Sequence, residues 1–188
     1  ITGTEGDFTV TLENFESLHG KTILIATGSS RRKLDIPGAV EFEYKGITYC
    51  ASCDGPLFSG MDVVVIGGGN AGFESASQLL AYCKSVTLLS RSEPRADAIT
   101  IEKLKSKENF KLIVGAIPKE IRGSNFVESI TYTDANGKGV ILPISGIFVE
   151  IGQIPATSFA KNIVPLNDFT QIKIDTKKTH GVFPLDSQ

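Results

Sequence analysis

The pattern of apolar and polar positions is clearest between residues 62 and 89. An apolar run of strand length, 62–66, precedes a glycine-rich turn, and apolar residues at helical spacing then continue to about Tyr82. A second short apolar run follows at 85–89. Together these segments predict a βαβ unit of about thirty residues. The chain is therefore expected to have an α/β fold.

The remaining elements are predicted from alternating positions, short apolar runs and turn residues. A helix is predicted at 99–107, a turn at 27–30, and an exposed connector at 35–38. Asn136-Gly137 between two alternating segments predicts a β-hairpin with a type I′ turn. The other predicted strands lie at 8–12, 21–26, 110–114, 127–133, 139–144, 146–151 and 172–174.

Composition is that of an ordinary globular protein, with 41% of the 188 residues apolar and 21% charged. A net charge of −2 and the lack of a basic cluster argue against nucleic acid as a partner. No apolar run approaches the ~18 residues that cross a bilayer, so no membrane segment is expected. Three cysteines do not make a secreted disulfide framework, and a cytoplasmic location is expected. The chain does not begin with Met, which suggests a fragment or a processed product.

The turn after the first strand of the βαβ unit has the spacing G-x-G-x-x-G. In such a turn the first glycine permits a tight bend, the second lets the backbone approach a pyrophosphate, and the third allows close helix packing. The N–H groups and the dipole of the helix then hold the phosphates. The motif predicts dinucleotide binding, and a purely structural turn is the alternative. The predicted cofactor-binding residues here are Gly67, Gly68, Gly69, Asn70, Ala71, Gly72 and Glu74.

The end of the second strand indicates which nicotinamide cofactor is expected. An NAD site usually places a carboxylate there to hold the ribose 2′-OH. This chain has Ser90 at that position, with Arg91 and Arg95 close behind it. Because a guanidinium can grip a 2′-phosphate with two hydrogen bonds, the sequence favours NADPH. Glu93 leaves NADH open, and a solvated loop without a nucleotide role is the alternative.

Cys50 and Cys53 form a C-x-x-C motif directly before Asp54. A zinc site would need four ligands, and besides this motif the chain offers only Cys83 and two scattered histidines, so no metal site is predicted. A redox-active dithiol is favoured, because a thiolate can exchange with a partner disulfide while the neighbouring carboxylate carries a proton. Two cysteines without a special role are the alternative. Cys83 is expected to lie in the core.

These motifs, in this order, resemble those of the low-molecular-weight thioredoxin reductases. The flavoprotein subunit of alkyl hydroperoxide reductase is similar too. The resemblance rests on residues 46–55 and 63–72, and it extends to 26–28 and 146–155, which resemble the strand-end motifs of flavoproteins with two dinucleotide sites. The resemblance implies FAD-binding positions at Thr27, Gly28, Ile151 and Gly152.

The resemblance also implies a domain organisation. A Rossmann-like, three-layer NAD(P)H-binding domain with a β-meander or hairpin, residues 47–150, would carry the C-x-x-C motif. It would be inserted between two remnants of an FAD-binding domain, residues 1–46 and 151–188. Segments near 37–46 and 152–155 would be the hinges of a domain movement.

The activity implied by the resemblance is disulfide reduction. Reducing equivalents would pass from NADPH to FAD, then to the Cys50–Cys53 disulfide, and finally to a thioredoxin or thioredoxin-like protein. Cys53 would face the flavin, Cys50 would exchange with the partner's disulfide, and Asp54 would be the acid. The intact protein is expected to be a homodimer, as is usual in this family.

The chain departs from the family pattern in three places. The FAD-binding glycine turn, which family members carry upstream of the position of Ile1, is not supplied. The C-terminal flavin motif is reduced at 181–186, and Ser90-Arg91 stands where a His-Arg-Arg run is common. We therefore expect a chain cut at both ends. Two alternatives stay open, namely an NADH enzyme like the hydroperoxide reductase flavoprotein and a nicotinamide-binding module with no activity of its own.

Overall fold

The computed structural model describes residues 1–173, so the segment 181–186 and the end of the strand predicted at 172–174 lie outside the described residues. The chain divides into two compact units. The smaller unit is formed by Ile1–Ser30 together with the chain from Gln153 onward, and the larger unit is Arg31–Gly152. Within the described part of the chain, no helix has the length and apolar character needed to span a bilayer.

Strands and short helices alternate along the chain. The helices are α1 (Ala51–Asp54), α2 (Asn70–Leu79) and α3 (Ala98–Lys105), with 3₁₀ turns at Gly55–Phe58 and Ser158–Ala160. The strands are β1 (Thr2–Thr4), β2 (Asp7–Thr11), β3 (Ser17–Gly20), β4 (Ser29–Arg31), β5 (Ile47–Thr48), β6 (Asp62–Ile66), β7 (Ser85–Ser90), β8 (Phe110–Val114), β9 (Ile117–Gly123), β10 (Val127–Thr133), β11 (Gly139–Pro143), β12 (Gly146–Val149) and β13 (Gln153–Pro155).

The smaller unit contains an antiparallel sheet in the order β1-β2-β3, and β4 pairs with β13 in a sheet of two strands. The strand predicted at 21–26 is wrong, because residues 22–28 adopt no regular structure. Leu24 in this apolar run is 89% exposed. A short apolar run forms a strand only where neighbouring strands pair with it, and among the described residues no strand pairs with this segment, although Ile23 and Ile25 are half-buried.

The larger unit is built on a parallel sheet in the order β5-β12-β6-β7-β8. Strands β6, β7 and β12 are buried almost throughout, as expected for a parallel sheet that is covered on both faces. Along β6 the side chains alternate between two cores. Val63 and Val65 point to one core, and Val64 and Ile66 point to the other.

The two cores define three layers. On one face of the sheet, Phe73, Ala76 and Leu79 of α2 pack on the strands. On the other face, Ile121 and Ile130 belong to a meander in the order β9-β10-β11. The prediction of a Rossmann-like, three-layer α/β unit with a β-meander is therefore confirmed.

The larger unit begins earlier than the domain limit predicted at residue 47. Ala39 and Phe42 are only 5% and 2% exposed, and they belong to the same core as Ile47. Residues 31–46 therefore pack with the larger unit, since leaving it would expose these side chains to water. The assignment of the remaining segments to an FAD domain stays a prediction.

The hairpin between β10 and β11 is present, but its turn differs from the prediction. A type I′ turn requires a positive φ at both central residues. Here only Gly137 has one, at 79°, and the backbone N–H of Asp134 donates to the carbonyl of Lys138 at 2.9 Å across a longer loop. The Asp134 carboxylate closes this loop by accepting the backbone N–H groups of Asn136 and Lys138, both at 2.9 Å.

Candidate active site: a disulfide and a glycine turn at one sheet edge

The C-x-x-C motif and the glycine turn lie at the same edge of the parallel sheet. Thr48 at the end of β5 is in register with Phe148 of β12, and Ile66 at the end of β6 is in register with Val149. The carboxyl ends of these strands are therefore level. Only β12 separates β5 from β6, so the two strand ends are about 10 Å apart. Ligands of open α/β sheets bind at this edge.

The glycine turn combines tightly packed positions with one open position. Gly67 has a φ of 140°, and a Cβ added there would lie 2.1 Å from the carbonyl oxygen of Glu150. A Cβ at Gly72 would lie 2.0 Å from the carbonyl oxygen of Gly67, which reflects the close packing of α2 on β6. A Cβ at Gly69 would meet no atom within 4 Å. The backbone at Gly69 is thus accessible to a ligand group.

Helix α2 begins directly at this open position. Gly69 is its N-cap and supplies no side-chain hydrogen bond to the first turn. The first N–H groups of a helix have no intrahelical acceptor, and the helix dipole makes this end favourable for anions. Asn70, Ala71 and Glu74 are all exposed at the start of α2. Their exposure leaves the first turn of α2 open to a ligand.

The loop after β7 is tied to the glycine turn. The backbone N–H of Arg95 donates to the carbonyl of Gly68 at 2.8 Å, and the N–H of Asp97 donates to Oδ1 of Asn70 at 2.9 Å. A Cβ at Gly68 would lie 2.0 Å from Oγ of Ser90, so the turn and the strand end also pack closely. The structure therefore brings together the two groups of residues that the sequence predicts for nucleotide binding.

The side chains at the end of β7 differ in their exposure to solvent. Ser90 is 2% exposed, and its hydroxyl donates to the carbonyl of Ser92 at 2.6 Å. Arg91 and Arg95 are not buried, and Glu93 is exposed. The first side chain after the strand that can reach a ligand is thus a guanidinium.

Cys50 and Cys53 form a disulfide with a Cα–Cα distance of 5.3 Å. Cys50 is the N-cap of α1, and its Sγ accepts the backbone N–H of Cys53 at 3.2 Å. Ser52 Oγ lies 3.5 Å from the same sulfur. Cys50 is half-buried, whereas Cys53 is exposed. A disulfide at the surface can exchange with an external thiol.

The third cysteine lies in a different environment. Cys83 is buried, and burial raises the pKa of its thiol to about 11. It belongs to the core beneath α2, as the sequence predicts. Within residues 1–173, no three His, Cys, Asp or Glu side chains are grouped so that they could hold a metal ion.

Asp54 closes the C-x-x-C segment and is held by Thr48. The backbone N–H of Asp54 donates to the carbonyl of Cys50 at 3.0 Å, and its Oδ2 accepts the hydroxyl of Thr48. Thr48 is buried, whereas Asp54 is half-buried. The carboxylate is therefore fixed beside the disulfide segment while part of it stays accessible to water.

A buried carboxylate that the sequence analysis missed lies at the end of β12. The side chain of Glu150 is 6% exposed, and its Oε1 accepts the hydroxyl of Ser75 on α2 at 2.7 Å. Its Oε2 is 2.9 Å from Nη1 of Arg31. A buried charge requires such partners. This network connects the end of β12 to helix α2. In the sequence, the only indication of this buried carboxylate was a glutamate inside the apolar run 146–151.

A second missed network precedes the disulfide. The Tyr49 hydroxyl donates to Oε2 of Glu43 at 3.0 Å, and Lys33 Nζ lies 2.9 Å from Oε1 of the same carboxylate. Burial, and then the Glu43 carboxylate, raise the pKa of Tyr49, so this hydroxyl stays protonated. The network fixes the segment 33–43 to the residue that directly precedes Cys50.

The residues predicted to contact FAD fall in both units. In the smaller unit, the Thr27 hydroxyl donates to the carbonyl of Ala156 at 2.7 Å, and Gly28 has a φ of 64°. Ile151 and Gly152 end the larger unit, and Gly152 has a φ of 96°. Their role toward a flavin stays a prediction.

Comparison with protein-family models matches residues 2–183 with the pyridine nucleotide-disulphide oxidoreductases. The chain belongs to this family. Membership in the family implies FAD and a pyridine nucleotide as cofactors. The glycine turn, with its accessible backbone at Gly69, fits the pyridine nucleotide.

Among curated proteins, the chain is 42% identical to a subunit of the alkyl hydroperoxide reductase of Staphylococcus epidermidis over 97% of its own length. It spans 36% of that relative. Among solved structures, it is similar to thioredoxin reductase of Lactococcus lactis, with a TM-score of 0.81 and 30% identity over 93% of this chain and 58% of that one. The thioredoxin reductase of T. acidophilum is 33% identical, with a TM-score of 0.80 and the same coverage.

Proposed function

We propose that the chain is the nicotinamide-binding and dithiol-carrying part of a flavin-dependent disulfide reductase. Reducing equivalents from NADPH would reach the Cys50–Cys53 disulfide through FAD and leave to a disulfide of a thioredoxin-like protein. The observation that carries this proposal is the position of the disulfide and the glycine turn at one sheet edge. The smaller unit would then be part of the FAD-binding domain, and the similarity to thioredoxin reductases supports this assignment.

The chain's own residues would bind the nicotinamide cofactor and would contact part of the FAD of the intact protein. The backbone at Gly69 and the first N–H groups of α2 would hold the pyrophosphate, and Arg91 and Arg95 would hold the 2′-phosphate. FAD, when bound, supplies a carrier that accepts a hydride and returns two electrons. Thr27, Gly28, Ile151 and Gly152 are the positions proposed to contact it.

The dithiol would act by thiol–disulfide exchange. The thiolate of Cys50 attacks the partner's disulfide, so that a mixed disulfide forms and one partner thiolate leaves. The thiol of Cys53, after losing its proton, attacks the Cys50 sulfur and releases the second partner thiolate. The Cys50–Cys53 bond forms again, and two electrons have passed to the partner. Asp54 would move the protons of these steps.

The first prediction tests this exchange on the chain itself. The chain is reduced with dithiothreitol, desalted and mixed with oxidised thioredoxin, and the oxidised chain is mixed with reduced thioredoxin. We expect two electrons to be transferred per chain in at least one direction, so that one dithiol is oxidised as the other disulfide is reduced, because electrons pass to the couple with the higher potential. Mass spectrometry after alkylation measures the transfer. Exchange in neither direction would contradict the proposed function.

The second prediction concerns cofactor choice. Arg91→Ala should raise the Kd for NADPH by about 10- to 100-fold, because a charge-assisted hydrogen bond is lost, and it should change the Kd for NADH by less than about twofold. Titration of nicotinamide fluorescence measures both constants. Arg122→Ala, which removes the same charge from the exposed edge of the meander, is the control. Equal losses for both nucleotides would remove the phosphate-binding role from Arg91.

The identity with the alkyl hydroperoxide reductase of Staphylococcus epidermidis favours a second candidate function. In this case the donor would be NADH, and the disulfide partner would be a thioredoxin-like module of a peroxide-reducing system. The nucleotide titration on the unmodified chain separates the two candidates. A Kd for NADH well below that for NADPH selects the second.

A further inference from the structure

Thr48 links the first cysteine to the acid. It ends β5 and is 7% exposed. Its Oγ1 accepts the backbone N–H of Cys50 at 3.4 Å and donates to Oδ2 of Asp54. A hydroxyl has a single proton to donate and two lone pairs to accept with. Here the proton is directed to the carboxylate and a lone pair faces the amide, so one buried hydroxyl serves both partners.

The direction of this hydrogen bond determines where Asp54 can carry a proton. Because Thr48 donates to Oδ2, that oxygen acts as an acceptor, and a proton taken up by the carboxyl group belongs on Oδ1. The backbone hydrogen bond from Asp54 to the Cys50 carbonyl fixes the main chain of the same residue. Thr48 thus restrains one carboxylate oxygen, and among the described residues no hydrogen bond occupies Oδ1.

We propose that Thr48 is a positioning residue of the dithiol reaction, whose hydroxyl holds Asp54 so that Oδ1 exchanges protons with the cysteine thiols. This inference rests on the proposed dithiol function. When Cys53 attacks the mixed disulfide, its thiol proton passes to Oδ1, and the same proton then neutralises the departing partner thiolate. The electrons move only through the sulfur–sulfur bonds, so the proton and electron counts balance.

The simpler role for Thr48 is structural. A buried hydroxyl that satisfies the amide of Cys50 would stabilise the turn between β5 and α1 without taking part in proton transfer. This role predicts a loss of stability on substitution, but it predicts no change in how the exchange rate depends on pH. The pH–rate profile therefore separates the two roles.

The third prediction compares Thr48→Val with Thr48→Ser. Valine has nearly the shape of threonine without the hydroxyl, and serine retains the hydroxyl. The reduced chain reacts with dithiobis(nitrobenzoate), and release of the second coloured thiolate reports the step in which Cys53 attacks. For Thr48→Val we expect this step to slow about fivefold or more at neutral pH, and the shape of its pH–rate profile to change. Thr48→Ser should restore the rate to within about twofold of that of the unmodified chain and restore the profile.

A double-variant cycle tests whether Thr48 acts through Asp54. In an Asp54→Asn background, Thr48→Val should cause no further shift of the profile, since the group that Thr48 positions is absent. Thermal unfolding of each variant is recorded in parallel, and Thr48→Ala replaces Thr48→Val if the valine variant does not fold. A pH–rate profile that is unchanged in Thr48→Val, or in Thr48→Ala where that variant replaces it, overturns the inference. A change of the profile that persists in the Asp54→Asn background overturns it too. Either result leaves the exchange with thioredoxin, and hence the proposed function, to its own test.

Discussion

Gly69→Ala should weaken NADPH binding by about 100-fold while changing the free energy of unfolding by less than about 0.5 kcal/mol. A Cβ at Gly69 meets no protein atom within 4 Å, and its φ of −93° is one that alanine adopts freely. The fold therefore accepts the methyl group. That methyl would occupy the space in which a pyrophosphate must approach the backbone at the start of α2.

Gly67→Ala, in the same turn, should destabilise the fold, which Gly69→Ala should not do. Gly67 has a φ of 140°, and its added Cβ would lie 2.1 Å from the carbonyl oxygen of Glu150. We expect this variant to lose about 3 kcal/mol or more of unfolding free energy, because backbone strain and a backbone clash combine. Urea unfolding and NADPH titration measure both effects. Gly139→Ala is the control, because a Cβ there also meets no atom within 4 Å. A Gly69→Ala chain that binds NADPH normally contradicts the proposed pyrophosphate site at the glycine turn.

The glycine turn could be predicted because all of its determinants are local. A strand, a turn and a helix follow one another within residues 62–79, and each has its own residue preferences. The contact of Gly67 with Glu150 could not be predicted in the same way, because it joins residues that lie far apart in the sequence. The network of Glu150 with Arg31 and Ser75 was missed for this reason, since its members are 119 and 75 positions away.

The errors in the fold have a related cause. The apolar run at 21–26 has the composition of a buried strand, but whether it forms one depends on strands that pair with it. Conversely, the turn residues at 35–38 predict a connector, and the predicted domain limit is residue 47. Residues 31–46 pack with the larger unit because Ala39 and Phe42 reach a core formed by distant strands. Periodicity reports local preference and says little about which long-range partners exist.

The dithiol segment could be predicted only in part from the sequence. C-x-x-C followed by an acid is a local signal, and it predicts the disulfide correctly. Thr48 is only six residues from Asp54 and could have been included, but a threonine in a short apolar segment has no distinguishing pattern. Its importance comes from the turn between β5 and α1, which brings its hydroxyl to the carboxylate.

The two cysteines should differ in the exchange reaction. The N–H of Cys53 donates to Cys50 Sγ at 3.2 Å, and Ser52 Oγ lies 3.5 Å from the same sulfur. Donors close to a sulfur stabilise its thiolate. Among the described residues, no such donor lies close to Cys53 Sγ. Its side chain is exposed to solvent. Cys50 is therefore expected to be the attacking nucleophile, with Cys53 as the thiol that resolves the mixed disulfide.

Cys53→Ser should therefore trap the mixed disulfide. With dithiobis(nitrobenzoate), the unmodified reduced chain releases two coloured thiolates. Cys53→Ser should release one and retain the reagent on Cys50, because no second thiol is available to displace it. Cys50→Ser should form its adduct about tenfold more slowly at neutral pH, since its remaining thiol lacks the donors that favour a thiolate. Cys83 does not obscure the result, because burial raises the pKa of its thiol to about 11. The opposite order of rates would reverse the assignment of the two cysteines.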